Sequence, residues 1–180
     1  HGFYSTGRLN IGKDGDFCTS PSLSNDFARL LAIQVVDWFL DLEKSGIESE
    51  LFSLVEIGPG EGTLSRDLIV AIAEIAPALI SKIEFVLVEL NVGMRKRQEK
   101  VVNNFEGIYC RWCDLEDLIL RPVTGVVIAN EVLDAFPVER LVFSDYKVFR
   151  QGVSLEKIDD EYFLKFIDLE PTSEIMEFLR

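Results

Sequence analysis

The stretch that decides the fold is an apolar run followed by three glycines at alternate positions, Leu54-Val55-Glu56-Ile57-Gly58-Pro59-Gly60-Glu61-Gly62-Thr63-Leu64. The apolar run predicts a buried strand over Leu51 to Ile57, and the residues after the glycines predict a helix over Leu64 to Ile75. Glycine is needed where a backbone turns tightly and a ligand must approach without a β-carbon in the way. A strand, a glycine turn and a helix in this order form the first half of a βαβ unit.

Three further apolar runs predict three more strands, over Ile83 to Val88, Ile108 to Trp112 and Gly125 to Ala129. The four strands alternate with connecting segments, and three of these segments have the composition of helices. This alternation predicts an α/β fold with a mostly parallel, doubly wound sheet. Ligands of such sheets bind at the carboxyl ends of the strands.

The pattern changes after Pro137, where apolar and polar residues alternate as they do in antiparallel strands. The sequence predicts strand segments over Arg140 to Phe149 and Tyr162 to Ile167, turns at Ser144-Asp145 and Gly152, and a short helix over Ser173 to Leu179. We therefore predict one domain over residues 1–180. Residues 1–24 would form an N-terminal loop or lid, residues 25–137 the cofactor-binding core, and residues 138–180 an antiparallel appendage.

Composition excludes several classes of function. The chain has 180 residues, and 18 Lys and Arg against 31 Asp and Glu give a net charge of −13, which repels the phosphate backbones of nucleic acids. The longest uncharged runs have nine residues, whereas a membrane-spanning helix needs about 20 apolar ones. Three cysteines in 180 residues favour a reducing compartment over secretion. Because the chain starts without Met, we expect it to be a piece of a longer protein.

The glycine loop does not fit a dinucleotide-binding fingerprint, because Thr63 stands where that motif requires glycine or alanine. Its acidic-x-Gly-x-Gly-x-Gly spacing, with Glu56 as the acidic residue, resembles the cofactor loop of Rossmann-like S-adenosylmethionine-dependent methyltransferases. That cofactor carries a sulfonium, an ammonium and a ribose diol, which acidic groups suit. An ordinary glycine turn is the alternative. The predicted loop contacts are Glu56, Gly58, Pro59, Gly60, Gly62 and Thr63.

Acidic side chains follow the other predicted strands. Glu89 ends the second strand, where a carboxylate can accept hydrogen bonds from both ribose hydroxyls. Asp114 follows the third strand at the expected level of the adenine, although a solvated loop aspartate fits equally well. Asn130, Glu131 and Asp134 follow the fourth strand and are the candidate catalytic residues, which would hold or deprotonate a methyl acceptor. For Glu131 and Asp134 the alternative is a place in the first turn of a helix.

No metal site is predicted. Cys110 and Cys113 form a C-x-x-C pattern within a strand, where residues three apart point to opposite faces. His1 is the only histidine, so a histidine-based triad or metal site is not available within this chain.

Two further stretches carry a family resemblance. Gly2-Phe3-Tyr4 with Gly15-Asp16-Phe17-Cys18-Thr19-Ser20-Pro21 precedes the glycine loop, and Asn130-Glu131-Val132-Leu133-Asp134-Ala135-Phe136-Pro137-Val138 follows it. Together these stretches resemble the MidA-like methyltransferase family, whose mitochondrial members are complex I assembly factors and protein arginine methyltransferases. The resemblance covers about residues 2–140. It implies a Rossmann-like class I methyltransferase core with S-adenosylmethionine as cofactor and Gly58, Gly60 and Gly62 as its loop.

The resemblance also implies a protein arginine as acceptor, with a respiratory-complex subunit as the candidate partner. It implies the cytoplasm as the location if the source is bacterial and the mitochondrial matrix if it is eukaryotic. Glu131 and Asp134 would pair with the guanidinium, and Asp16 would cover the cofactor as part of a lid. The chain departs from the family at Ser22, where a glutamate is usual, and at Ala28, where a glycine is usual. Two alternatives stay open: a non-catalytic cofactor-binding assembly factor, and an aminopropyltransferase of the polyamine-synthase type. The oligomeric state is not predicted.

Overall fold

The computed structural model describes residues 24–47, 49–102, 105 and 107–180. Contacts divide the chain into two compact units that meet in sequence between Leu133 and Asp134. The single domain predicted over residues 1–180 stays a prediction. The lid predicted over residues 1–24 falls, apart from Ser24, outside the described residues.

The first unit alternates strands and helices, as the sequence predicts. Its elements in chain order are α1 (Asp26–Lys44), β1 (Phe52–Ile57), α2 (Thr63–Ile75), α3 (Pro77–Ile80), β2 (Ile83–Val88), α4 (Val92–Val102), β3 (Tyr109–Cys113), α5 (Leu115–Leu120) and β4 (Gly125–Ile128). All strand pairs are parallel, and the strand order is β3-β2-β1-β4. The predicted α/β fold with a parallel sheet is confirmed.

The main core lies on one face of this sheet, beneath α1 and α2. Side chains at alternate strand positions, such as Leu54 on β1 and Phe85 on β2, join fully buried helix residues such as Phe39 and Ile72. A smaller cluster around Val55 and Val86 lies on the other face, where Leu118 of α5 packs against it. Because helices cover both faces, the strands are apolar on both sides, which explains their uninterrupted hydrophobic runs.

The chain reverses direction between β1 and β4. From the central strand β1 it moves outward to β2 and β3, and it then crosses to β4 on the other side. Such a switch point opens a crevice beyond the carboxyl ends of the strands. The loops after β1 and β4 lie beside this crevice.

The second unit is an antiparallel sheet of order β5-β6-β7, built from β5 (Leu141–Ser144), β6 (Lys147–Ile158) and β7 (Glu161–Leu169), and followed by α6 (Ser173–Phe178). The turn predicted at Ser144-Asp145 is present, with Asp145 and Tyr146 at positive φ. The turn predicted at Gly152 is wrong, because Gly152 lies inside β6, opposite Ile167. A β-carbon at Gly152 would come within 2.6 Å of Leu169 Cδ1, so the glycine leaves room for that side chain.

Candidate functional site

The glycine loop joins β1 to α2 in a conformation that favours glycine. Gly58, Gly60 and Gly62 have φ angles of +65°, +54° and +81°. This left-handed region costs other L-residues about 1–2 kcal/mol. Within the loop the Gly62 N–H donates to the Pro59 carbonyl at 2.8 Å, so the loop closes as a tight turn.

Two neighbours approach the loop closely. A β-carbon at Gly58 would lie 3.1 Å from Val132 Cγ2, and one at Gly62 would lie 3.4 Å from Gln98. Val132 follows β4, so the loops after β1 and β4 are in contact. The structure thus brings together the two segments that the sequence predicts to face cofactor and acceptor.

Glu56 lies beneath the loop and connects its two ends. Its side chain is buried, and its Oε2 accepts a hydrogen bond from the Ser65 hydroxyl in the first turn of α2. Burial raises the pKa of the Glu56 carboxyl to about 7, and hydrogen bonds from the Ser65 hydroxyl and backbone N–H oppose that rise. Glu56 therefore ties the end of β1 to the start of α2. A direct contact of Glu56 with a cofactor stays a prediction.

The other loop residues stand at the positions that the sequence indicates. Pro59 is buried, and Thr63 is the first residue of α2 and half-buried. Glu61 at the outside of the loop pairs with Arg97 of α4 at 3.3 Å. The loop is thereby attached to α4 as well as to β1 and α2.

Glu89 follows β2 and is held from both sides. Its Oε1 accepts from the Asn91 N–H at 2.8 Å, and its Oε2 accepts from Gln98 Nε2 at 3.1 Å. Its own backbone N–H donates to the Cys113 carbonyl at 3.0 Å, which fixes its place relative to β3. The carboxylate thus has a defined orientation at the carboxyl edge of the sheet.

Gln98 of α4 is a residue that the sequence prediction missed. It is fully buried, and its Nε2 donates to the Gly60 carbonyl at 2.7 Å as well as to Glu89. Its Oε1 accepts from Trp112 Nε1 at 2.9 Å. A signal existed in the sequence, since Gln98 stands midway between Met94 and Val102 in the buried stripe of α4, and a polar residue in such a stripe needs partners.

Asp114 caps α5. Its Oδ1 accepts from the Asp117 N–H at 2.8 Å, and its own N–H donates to Asp117 Oδ2 at 3.3 Å, which is a capping box. The residue follows β3 at the same edge of the sheet as Glu89. The cap is a structural role, and the predicted contact with adenine stays a prediction.

The candidate catalytic residues follow β4 in the chain and are divided between the two units. Asn130 is half-buried and Glu131 exposed in the loop after β4, and Glu131 has a φ of +50°. Asp134 is exposed on a short 3-10 helix, Leu133–Ala135, and belongs to the second unit. Asp16 lies outside the described residues. The structure places Asn130 and Glu131 beside the glycine loop, through their neighbour Val132.

Residues 30–180 match the family described as "Putative S-adenosyl-L-methionine-dependent methyltransferase". The chain belongs to this family. Membership confirms the resemblance read from the sequence, and the family's cofactor is the one that the glycine loop predicts.

Named relatives agree with the family. A rat protein, "Protein arginine methyltransferase NDUFAF7, mitochondrial", is 30% identical over 153 residues, which are 72% of this chain and 33% of the relative. A Caenorhabditis elegans homologue of the same name is 29% identical over 182 residues, 92% of this chain and 41% of the relative. The chain spans about a third of the length of the first mammalian relatives it matches.

A solved structure from Burkholderia thailandensis, bound to S-adenosyl-homocysteine, is also similar. It is 31% identical with a TM-score of 0.65, over 95% of this chain and 42% of that one. The chain thus shares its fold with a protein described as a "COG1565 superfamily member and likely methyl transferase".

The residues of this chain fit such a cofactor. Loop glycines with left-handed φ angles form a backbone turn without β-carbons, and the carboxylate of Glu89 is oriented at the strand ends. The net charge of −13 suits a ligand with a cationic sulfonium.

The two described cysteines lie on opposite faces of the parallel sheet. Cys110 packs against the main core and Cys113 belongs to the cluster on the other face, so they point apart as predicted. Burial, followed by the charge of Glu84, raises the pKa of Cys110 to about 11. In the described part of the chain, no group of three or more His, Cys, Asp or Glu side chains is placed to hold a metal ion. Likewise, none of the described helices is both long and apolar enough to cross a membrane.

Proposed function

We propose that this chain carries the cofactor-binding part and the first acceptor-facing residues of an S-adenosylmethionine-dependent methyltransferase. One observation carries the proposal: Gln98 bonds both the glycine loop, at Gly60, and the carboxylate of Glu89. The two parts of the site that would contact the methionine end and the ribose are thus held in one arrangement by the protein itself.

Glu89 would hold the ribose hydroxyls. An ionised carboxylate offers about four acceptor positions, so the bonds from Asn91 and Gln98 leave capacity for two hydroxyl donors. Asp114 would approach the adenine from the end of β3, with one oxygen retained by its cap.

Asn130 and Glu131 would face the methyl acceptor. The cofactor supplies a methyl group on a positively charged sulfur. The exposed carboxylate of Glu131 can pair with a guanidinium and orient it, because arginine stays charged in the ground state. The left-handed backbone of Glu131 costs energy, and such strain is concentrated at functional sites.

The arginine acceptor and the cellular location rest on the relatives. Their names, protein arginine methyltransferase and mitochondrial, support a protein substrate and, for a eukaryotic source, a mitochondrial location. A respiratory-complex subunit as substrate, Asp134 as a second guanidinium partner, and the cytoplasm as the bacterial location remain predictions.

Two measurements on the full protein test the proposal. Calorimetric titration with S-adenosylmethionine should give binding that NAD does not give. Incubation with methyl-labelled S-adenosylmethionine and an arginine-containing basic peptide should label arginine, and Glu131→Gln should abolish labelling while retaining cofactor affinity. Glu50→Gln is the matched control, since Glu50 is exposed just before β1, at the opposite edge of the sheet.

The outcomes separate the alternatives. No binding of S-adenosylmethionine would contradict the proposal. Binding without labelling of any arginine would favour the non-catalytic assembly factor. Tighter binding of decarboxylated S-adenosylmethionine would favour the aminopropyltransferase.

A further inference from the structure

We infer that Gln98 is the positioning residue that sets how strongly the ribose hydroxyls of the cofactor are recognised. The inference rests on the proposed function, because it concerns the same site. Gln98 itself has no predicted contact with the cofactor. Its role is to orient Glu89, the side chain that would contact the ribose.

The orientation of the Gln98 amide is fixed by its neighbours. The indole Nε1 of Trp112 can only donate, so the Gln98 oxygen must face it. The Gly60 carbonyl and the Glu89 carboxylate can only accept, so the Gln98 nitrogen must face them. Both sets of partners demand the same orientation, and the amide has no second arrangement that satisfies them.

The burial of Gln98 gives these bonds their strength. The residue is 0% exposed, so no water competes for its two donors or its acceptor. The bond to Glu89 has a charged acceptor, and such bonds are about twice as strong as neutral ones. The β-carbon position of Gly62 lies 3.4 Å from Cα, Cβ and Cγ of Gln98, so the glycine loop packs along the stem of this side chain.

A consequence follows for the ribose. With Oε1 held by Asn91 and Oε2 by Gln98, the plane of the Glu89 carboxylate cannot rotate freely. Its remaining acceptor positions then point in fixed directions, and a diol gains from two such bonds only if both are aligned. Without Gln98 the carboxylate loses one of the two bonds that orient it.

The experiment compares two ligands, S-adenosylhomocysteine and its 2′-deoxyribose analogue, by calorimetry on the full protein. In the unaltered protein the missing hydroxyl should cost about tenfold or more in affinity, as expected for a hydrogen bond to a charged group. In Gln98→Leu that ratio should fall to about threefold or less. Gln34→Leu, which changes an exposed glutamine on α1, should leave the ratio unchanged.

Two further variants keep the test decisive. Trp112→Phe removes the donor that orients the Gln98 oxygen, so it should also lower the affinity ratio of the two ligands, but by less than Gln98→Leu does. If Gln98→Leu does not fold, Trp112→Phe provides the test, and an unchanged ratio in this variant would overturn the inference. In a Glu89→Ala background, Gln98→Leu should not change the ratio further.

An equal loss of affinity for both ligands in Gln98→Leu, with the ratio unchanged, would overturn the inference and leave the proposed function intact, since Gln98 would then only stabilise the fold. Failure of the unaltered protein to bind S-adenosylhomocysteine would overturn the proposed function, and the inference with it.

Discussion

Replacing Gly58 with alanine should both destabilise the fold and weaken cofactor binding, whereas the same change at Gly46 should only destabilise the fold. The two glycines have similar left-handed φ angles, +65° and +75°. They differ in surroundings, because a β-carbon at Gly46 meets nothing within 4 Å while one at Gly58 lies 3.1 Å from Val132 Cγ2. The pair separates backbone strain from steric contact.

The magnitudes follow from these differences. The left-handed conformation costs alanine about 1–2 kcal/mol. Alanine also reduces the conformational entropy of the unfolded chain, which offsets about 0.4–1 kcal/mol of this cost. Gly46→Ala should therefore lower the free energy of unfolding by about 1 kcal/mol. Gly58→Ala must also displace the half-buried Val132, which adds about 1 kcal/mol, the lower end of overpacking costs.

The assay is urea unfolding of both variants, with calorimetric titration of S-adenosylhomocysteine at the same pH. Adding Val132→Ala to Gly58→Ala should recover the steric part of the stability loss but not the strain. Equal stability losses in the two glycine variants, together with unchanged affinity in Gly58→Ala, would refute both the contact with Val132 and the role of the loop.

Three other predictions concern stability, pH and capping. The pKa of Glu56 is raised to about 7 in the folded state, so between pH 4.5 and 7 the folded chain keeps a proton that the unfolded chain releases, and the free energy of unfolding should decline as pH rises through this range. In urea midpoints measured from pH 4 to 8, Glu56→Gln should remove this part of the decline. Asp114→Ala should lower the free energy of unfolding by about 1 kcal/mol through loss of the cap of α5, whereas Asp114→Asn should retain stability. A loss of cofactor affinity in Asp114→Asn would therefore identify a role beyond the cap. Phe39 is fully buried, and its ring centroid lies 5.9 Å from that of Phe52, so Phe39→Ala should lower the free energy of unfolding by about 3–5 kcal/mol in the same assay. A loss below about 1 kcal/mol would contradict the described core.

Sequence patterns predicted the first unit well because its signals are local. A continuous apolar run such as that of β1 has few ways to be buried, and glycines at alternate positions leave few backbone conformations open. Glu89 and Asn130 could be placed at one edge because parallel strands share their carboxyl ends. The roles proposed for the individual site residues stay predictions.

The failures have physical causes of their own. Gly152 resembled a turn residue, but it serves close packing against Leu169, a contact between strands that no local pattern reveals. The turn between β6 and β7 uses Asp159 and Asp160, which adopt positive φ without glycine. The partners of Gln98 come from three separate segments, so its role emerges only when the strands are assembled.

The strand order has a consequence for the sequence of folding events. Strands β1, β2 and β3 pair with their neighbours in the chain, whereas β4 pairs with β1 across the long segment between Ile57 and Gly125. Closing that segment carries the larger entropic cost, so β4 is expected to join late. All described cofactor-facing candidates, up to Asp114, precede β4 in the chain. A nascent chain would thus form the cofactor-binding half of the crevice before the half that faces the acceptor. Cofactor bound at that stage would favour the docking of β4.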